Sequence, residues 1–211
     1  LLVKQSYLSQ FSFYNKDIPI ILNGIEEKQQ VPFKQLEYNK TNILFAGRIV
    51  KQKGIDVLAD VILALNKTSN NFFFHIIGEG PLREELSERL KNEDNVRFYG
   101  NVYNLASYLG SFDYLFMPSW YEGLSMLSIE SSFAKLPVII NSCAGLVDTL
   151  PKSWPLKAKD NDVNTYLRIF GNLDNYNRKS LSNQAYQFVS ENFGIKQMQE
   201  KYLSRYKSNT L

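Results

Sequence analysis

The sequence predicts a doubly wound α/β fold: an open, mostly parallel sheet with helices on both faces. Three observations lead there. Short runs rich in β-branched and aromatic residues recur between Pro19 and Ile140 and do not alternate with polar residues, as expected of strands buried on both faces. Segments with helical spacing lie between them, and such alternation implies right-handed crossovers within one sheet. Glycine stands in the junctions that follow the runs, where sharp turns and close backbone approach are needed.

The expected strands, in order, are Pro19–Leu22, Asn42–Ala46, Phe72–Ile77, Val96–Tyr99, Tyr114–Met117 and Val138–Ile140. After Gly54, the spacing of Ile55, Leu58, Ile62 and Leu65 predicts a helix. Pro81–Asn92 opens with Pro and Glu and closes with Arg and Lys, which suits a helix and its dipole. Val102–Gly110 is a shorter helical segment, and 125–134 another, with Ser125 as its cap. Beyond Pro155 the pattern is helical and polar: 160–172 and 178–207, with a break near Gly194. One domain over 1–211 is expected, with 1–15 a linker from an absent N-terminal domain and 160–211 a helical tail.

Composition narrows the function. The 211 residues are 44% hydrophobic and 21% charged, with a formal net charge of +3. This is an ordinary globular balance, too weakly basic to argue for nucleic acid. A mild positive charge suits an anionic small ligand or an acidic membrane surface. The single cysteine, Cys143, allows no intrachain disulfide, so a reducing cytoplasm is the default. No apolar run reaches the length of a membrane span.

In doubly wound sheets, ligands bind at the carboxyl ends of the strands. After Asn42–Ala46 comes GRIVKQKG, which sets Arg48 and Lys53 ahead of a helix. Two cations beside helix N-termini make a site for a diphosphate, although an isolated Arg or Lys is more often a solvated surface charge. In PSWYEGLSMLSIESSFAKLP, Glu122 falls in the loop before a helix and Glu130 in its second turn, about 8 Å along the axis. Carboxylates are strong acceptors for vicinal hydroxyls. The N–H groups of Gly123, Leu124, Ser125 and Met126 would face an anion. The plainer alternative gives Glu122 to the helix dipole and Glu130 to solvent.

The ordered series ILNG (21–24), GRIVKQKG (47–54), IIGEGPLREEL (76–86), VRFYGNV (96–102), PSWYEGLSMLSIE (118–130), LPVI (136–139) and AGLVD (144–148) resembles the nucleotide-sugar-binding half of retaining GT-B glycosyltransferases of family 4, the glycosyl transferases group 1. The resemblance implies a Rossmann-like domain, the C-terminal half of a GT-B fold. It implies that Arg48 and Lys53 meet the donor diphosphate, that Glu122 contacts the sugar, and that Glu130 holds the ribose. Arg48, Lys53 and Glu122 are the expected catalytic set. Gly47, Gly78, Gly80, Asn101, Val102, Gly123, Leu124, Ser125, Met126 and Glu130 are the expected substrate-binding set. The implied donor is a nucleoside-diphosphate sugar, UDP favoured over GDP, with no cofactor and no metal. The acceptor, a glycan or lipid, would be met by the absent N-terminal domain; the implied location is cytoplasmic, with peripheral contact at the inner face of the cell membrane open to the full-length protein. This half is not expected to turn over alone. A non-catalytic nucleotide-binding module is the alternative. The chain departs from the family pattern at Ser131, Lys135, Ala144 and Asp148.

Other signals are set aside. Gly78-Glu79-Gly80 has Arg83 at the third glycine position of a dinucleotide fingerprint. Asp160-Asn161-Asp162 reads as a helix cap, not a metal motif. His75 lies inside a strand and reads as core.

Overall fold

The computed structural model describes residues 21–69 and 71–208. It contains six parallel strands: β1 (Thr41–Ala46), β2 (Phe72–Ile77), β3 (Val96–Gly100), β4 (Tyr114–Met117), β5 (Val138–Asn141) and β6 (Lys157–Ala158). Their order across the sheet is β3-β2-β1-β4-β5-β6. Each adjacent pair is parallel. The order reverses between β1 and β4. A crevice therefore opens there at the carboxyl ends of the strands, because the crossovers leaving these two strands run in opposite directions.

The described helices are α1 (Ile55–Asn66), α2 (Arg83–Arg89), α3 (Met126–Phe133), α4 (Val163–Gly171), α5 (Arg178–Phe193) and α6 (Ile195–Ser208). α1 packs against α4, and α3 against α5. Beneath α4, Phe116 meets Tyr166 and Phe170 edge-to-face, with ring centroids 4.8 and 5.3 Å apart. Contacts of this kind add about 0.5–1.5 kcal/mol beyond burial. Ile129, Phe133, Val189 and Phe193 form a second apolar cluster between α3 and α5.

Four expectations need correction. Pro19 and Ile20 of the expected first strand lie outside the described residues, as does the expected linker 1–15, while Ile21 and Leu22 form no strand. The pairing there comes three residues later, as an isolated bridge between Ile25 and Gly194. Val102–Gly110 is not an α-helix but two short 3-10 turns, Leu105–Ser107 and Leu109–Ser111. Asn104 in the left-handed region (φ 56) starts the first turn, and its side chain bonds Ser107 instead of continuing a helix. The helix expected over Pro81–Asn92 covers only Arg83–Arg89. Finally, β6 was not anticipated, since it has only two residues, Lys157 and Ala158. The break near Gly194 is present, separating α5 from α6.

Candidate functional site

The site is built where the sheet order reverses. The loop after β1 carries Arg48, a 3-10 turn at Lys51–Lys53, and Gly54, which starts α1. The loop after β4 carries Ser119, Glu122 and the cap of α3. Backbone contact locks the two loops together. Gly54 has φ 65, and a Cβ there would stand 1.8 Å from the Pro118 carbonyl oxygen, so only glycine lets the chains meet. Trp120 N–H donates to the Gln52 carbonyl at 2.9 Å, and Gln52 Nε2 returns a bond to the Tyr121 carbonyl at 3.0 Å. On the other side, Gly145 (φ 80) touches the Gly123 carbonyl, where a Cβ would come within 1.8 Å.

This clamp brings together residues 69 positions apart in the sequence. Lys53 Nζ donates to Glu122 Oε1 at 2.6 Å, and Ser119 Oγ donates to the same oxygen at 2.8 Å. The Glu122 side chain is only 9% exposed and that of Lys53 22%. Both donors take Oε1, so Oε2 has no protein partner among the described residues. The Lys53 chain runs past Gly47, its Cε 3.7 Å from where a Cβ would stand. Arg48 is exposed; its carbonyl accepts from Val50 N–H at 3.0 Å, and its side chain takes no part in an ion pair or hydrogen bond among the described residues.

Ser119 was missed as a site residue. Its one sequence signal is its place three residues before Glu122. Asn141 and Asn161 were missed too, and they brace the same loop. Asn141 Nδ2 donates to the Ser119 carbonyl, and Asn161 Nδ2 to the Pro118 carbonyl, both at 3.0 Å. Tyr166 hydroxyl then donates to Asn161 Oδ1 at 2.7 Å. The Asp160-Asn161-Asp162 stretch therefore does two structural jobs. Asp162 caps α4 by accepting from Asn164 and Thr165 N–H, and Asn161 props the β4 loop.

At the start of α3, Ser125 Oγ accepts from Ser128 N–H, as a cap should. Ser125 N–H is not free as expected: it donates to the Gly145 carbonyl at 3.2 Å. The N–H groups of Gly123, Leu124 and Met126 have no backbone acceptor among the described residues, which leaves three donors at the helix mouth. Glu130 lies in α3, half-buried. Burial pushes its carboxyl above the usual carboxylate range, and Lys28 partly opposes this. No hydrogen bond ties its side chain among the described residues. Cys143 is buried beside the same loop, its thiol pushed up to about 11 by burial and by the nearby Glu122 charge, so it stays protonated and unreactive at neutral pH.

The glycines after β1 and β2 lie side by side. Gly47 N–H donates to Ile77, Gly78 N–H to Gly100, and Ile49 N–H to Glu79, while a Cβ on Gly80 would meet the Ile49 backbone. After β3, Asn101 is exposed and Val102 half-buried. His75 lies apart from this rim, fully buried in β2. Among the described residues, no three His, Cys, Asp or Glu side chains are grouped to hold a metal ion, and no helix is long and apolar enough to cross a membrane.

Comparison with known proteins bears on the family and the fold. The family model described as glycosyl transferases group 1 matches residues 40–166. The chain is 29% identical over 195 residues to a 41.2 kDa protein of the cps region of Klebsiella pneumoniae, covering 90% of this chain and 53% of that protein. It is 27% identical over 175 residues to the O-antigen biosynthesis glycosyltransferase WbnH of Escherichia coli, covering 82% of this chain and 49% of the relative. It thus spans about half the length of these relatives. Among solved structures, a point mutant of S. aureus TarM in complex with fondaparinux, alpha-GlcNAc-glycerol and UDP superposes with a TM-score of 0.76 at 24% identity, over 95% of this chain and 42% of TarM; this likeness is one of fold. With more than half of its residues matched, from β1 into α4 and across both loops of the crevice, the chain belongs to the glycosyl transferases group 1 family.

Proposed function

We propose that the chain is the donor-binding half of a retaining family 4 glycosyltransferase, which transfers a hexose from a UDP-sugar to a glycan or lipid-linked acceptor in cell-surface polysaccharide synthesis. The enzyme would work at the cytoplasmic face of the membrane. The observation that carries this reading is the Lys53–Glu122–Ser119 cluster at the point where the strand order reverses. A lysine beside a carboxylate with one unused oxygen offers a cation for a diphosphate and an acceptor for a sugar hydroxyl within one small volume. The O-antigen enzyme WbnH among the relatives and the UDP bound to TarM support the same substrate class.

In this mechanism the β-phosphate of the leaving UDP meets Lys53, Arg48 and the free N–H groups of Gly123, Leu124 and Met126. Fixed donors aimed at a departing diphosphate lower the barrier because they need no reorganisation as charge develops. Glu122 Oε2 accepts a hydroxyl of the transferred sugar, which fixes the ring over the scissile bond. Glu130 accepts from the ribose hydroxyls. The acceptor oxygen is brought by the N-terminal half of the full-length enzyme, and orienting it accounts for roughly 7–11 kcal/mol of the barrier. The chain alone is therefore expected to bind donor but not transfer it.

Calorimetry of UDP with the chain in EDTA tests the binding half of this reading; strict dependence on magnesium would overturn it. Product NMR on the full-length protein tests the rest, since an inverted anomeric centre would exclude retention. Comparing UDP with an intact UDP-sugar separates the carboxylates. Glu130→Gln should weaken both ligands, and Glu122→Gln only the sugar-bearing one.

A further inference from the structure

Beside the donor crevice lies a groove that the reading above does not use. Its volume is about 290 Å³, close to the lower end of the ~300–1,000 Å³ range of small-molecule clefts. One wall is Trp120, 48% exposed although it stands two residues from Glu122. Ile55 and Leu86, both buried, form the floor. Asp56, Glu85 and Lys51 stand around it, all exposed. The side chains of Asp56 and Glu85 have no hydrogen bond or ion pair among the described residues, while the neighbouring Arg89 is held by Asp60.

An indole half open to solvent beside two unpaired carboxylates matches the two faces of a pyranose. The ring's C–H face stacks on the apolar indole, and its equatorial hydroxyls donate to carboxylates, which act only as acceptors when ionised. The Trp120 backbone is anchored at the groove, because its N–H is tied to the Gln52 carbonyl. Two free acids against one free lysine, Lys51, among the described residues also make the groove a better fit for an uncharged sugar than for an anionic lipid surface. We propose that this groove is a subsite for one pyranose ring of the acceptor glycan, with Trp120 as the stacking platform and Asp56 and Glu85 as hydroxyl acceptors. This rests on the glycosyltransferase reading above for the identity of its occupant.

The test titrates the full chain with methyl glycosides of glucose, galactose and N-acetylglucosamine, reading tryptophan emission and saturation-transfer NMR. The second tryptophan, Trp154, is 3% exposed and bonded to the Val138 carbonyl, so changes in emission report Trp120. At least one glycoside should shift the emission to the blue and saturate in the millimolar range. Trp120→Ala should weaken that binding about tenfold, equivalent to ~1.4 kcal/mol, while Trp120→Phe restores most of it. UDP affinity should be the same in all three proteins. No glycoside response in the wild-type chain would overturn the proposal, as would binding that survives Trp120→Ala. A response to the acyclic control sorbitol equal to that of the glycosides would also overturn it. So would a blue shift produced by phosphatidylglycerol vesicles and by no glycoside. Loss of UDP binding with the glycoside response intact would instead count against the donor site.

Discussion

The polar cluster around His75 and the polar rim around Glu122 are both built on the same sheet, yet they treat their hydrogen-bonding groups in opposite ways. Around His75 the groups are closed onto one another. Nε2 donates to Asn42 Oδ1 at 2.8 Å, which leaves Nδ1 to accept from the Tyr99 hydroxyl at 2.8 Å. Asn42 Nδ2 donates to the Glu37 and Lys40 carbonyls, and Asp113 accepts from Asn42 N–H. Phe33, Phe73 and Phe112 seal the ring. At the rim, Glu122 Oε2, Arg48, the Glu130 carboxyl and three N–H groups are left open. Satisfied polar groups hold a core in one arrangement. Groups left open at a shaped crevice are the ones a ligand can complete.

The largest expected effect concerns the joint that keeps the rim open. Gly54→Ala places a Cβ against the Pro118 carbonyl in the left-handed region. It should cost about 3–4 kcal/mol of stability, read by denaturant unfolding, and a near-neutral result would mean that the two loops are not locked. Next is the sealed cluster. Burial, helped by the Arg97 charge, lowers the His75 pKa from 6.5 to about 4. The unfolded chain therefore binds a proton that the folded chain refuses between these values. Stability is fully present above pH 6.5 and falls as pH drops towards 4, by roughly 3 kcal/mol in all. Since the chain has one histidine, its imidazole signal can be followed directly by NMR, and a midpoint near 6.5 would show the cluster to be open.

The rim gives the next effect. Lys53→Ala and Arg48→Ala should each weaken UDP binding by about 1.5–3 kcal/mol, the range for hydrogen bonds to charged groups; Arg48→Ala should change unfolding little, whereas Lys53→Ala should also destabilise, because it leaves the buried Glu122 carboxylate without its cation. Calorimetry reads the affinity and thermal melting the stability. A loss of stability in Arg48→Ala equal to its loss of affinity would make Arg48 a structural residue and blur the contrast. The smallest effect tests a flaw on the sealed side of α3. Ser131 is fully buried, with its hydroxyl unpartnered. Ser131→Ala should stabilise by about 1 kcal/mol and leave UDP affinity unchanged, which melting and calorimetry would together decide.

Much of this contrast was legible in the sequence. Five strands stood out because their runs are short, rich in β-branched and aromatic residues and without polar alternation; four of them are buried almost throughout, while β3, at the sheet edge, is only partly covered. Ser125 showed as a cap because it precedes an apolar helical run. Glu122 and Glu130 showed because carboxylates are rare in such company. What could not be read is contact across the chain. Nothing local pairs Lys53 with Glu122, or props Pro118 with Asn161. β6 has too few residues to carry a pattern, and the left-handed Asn104 overrode a helical spacing. Lys135, one of the departures from the family pattern, shows its setting only in three dimensions. It sits at φ 58, a region costly for a side chain, and its ammonium lies 5.1 Å from the centre of the Tyr186 ring, an attraction that offsets part of that cost.

The bond between Lys53 and Glu122 also sets a rule of admission. A bare anion such as inorganic phosphate that reaches Lys53 must share its ammonium with Glu122, and it then lies close to the negative charge of a carboxylate that is only 9% exposed. In the proposed reading, a visitor that also brings a hydroxyl for Glu122 Oε2 gives the carboxylate a partner while its phosphate meets the lysine. The site would thereby grade its visitors: an anion alone feels Lys53 and Glu122 pull in opposite directions, and one that also carries a sugar hydroxyl is preferred to it.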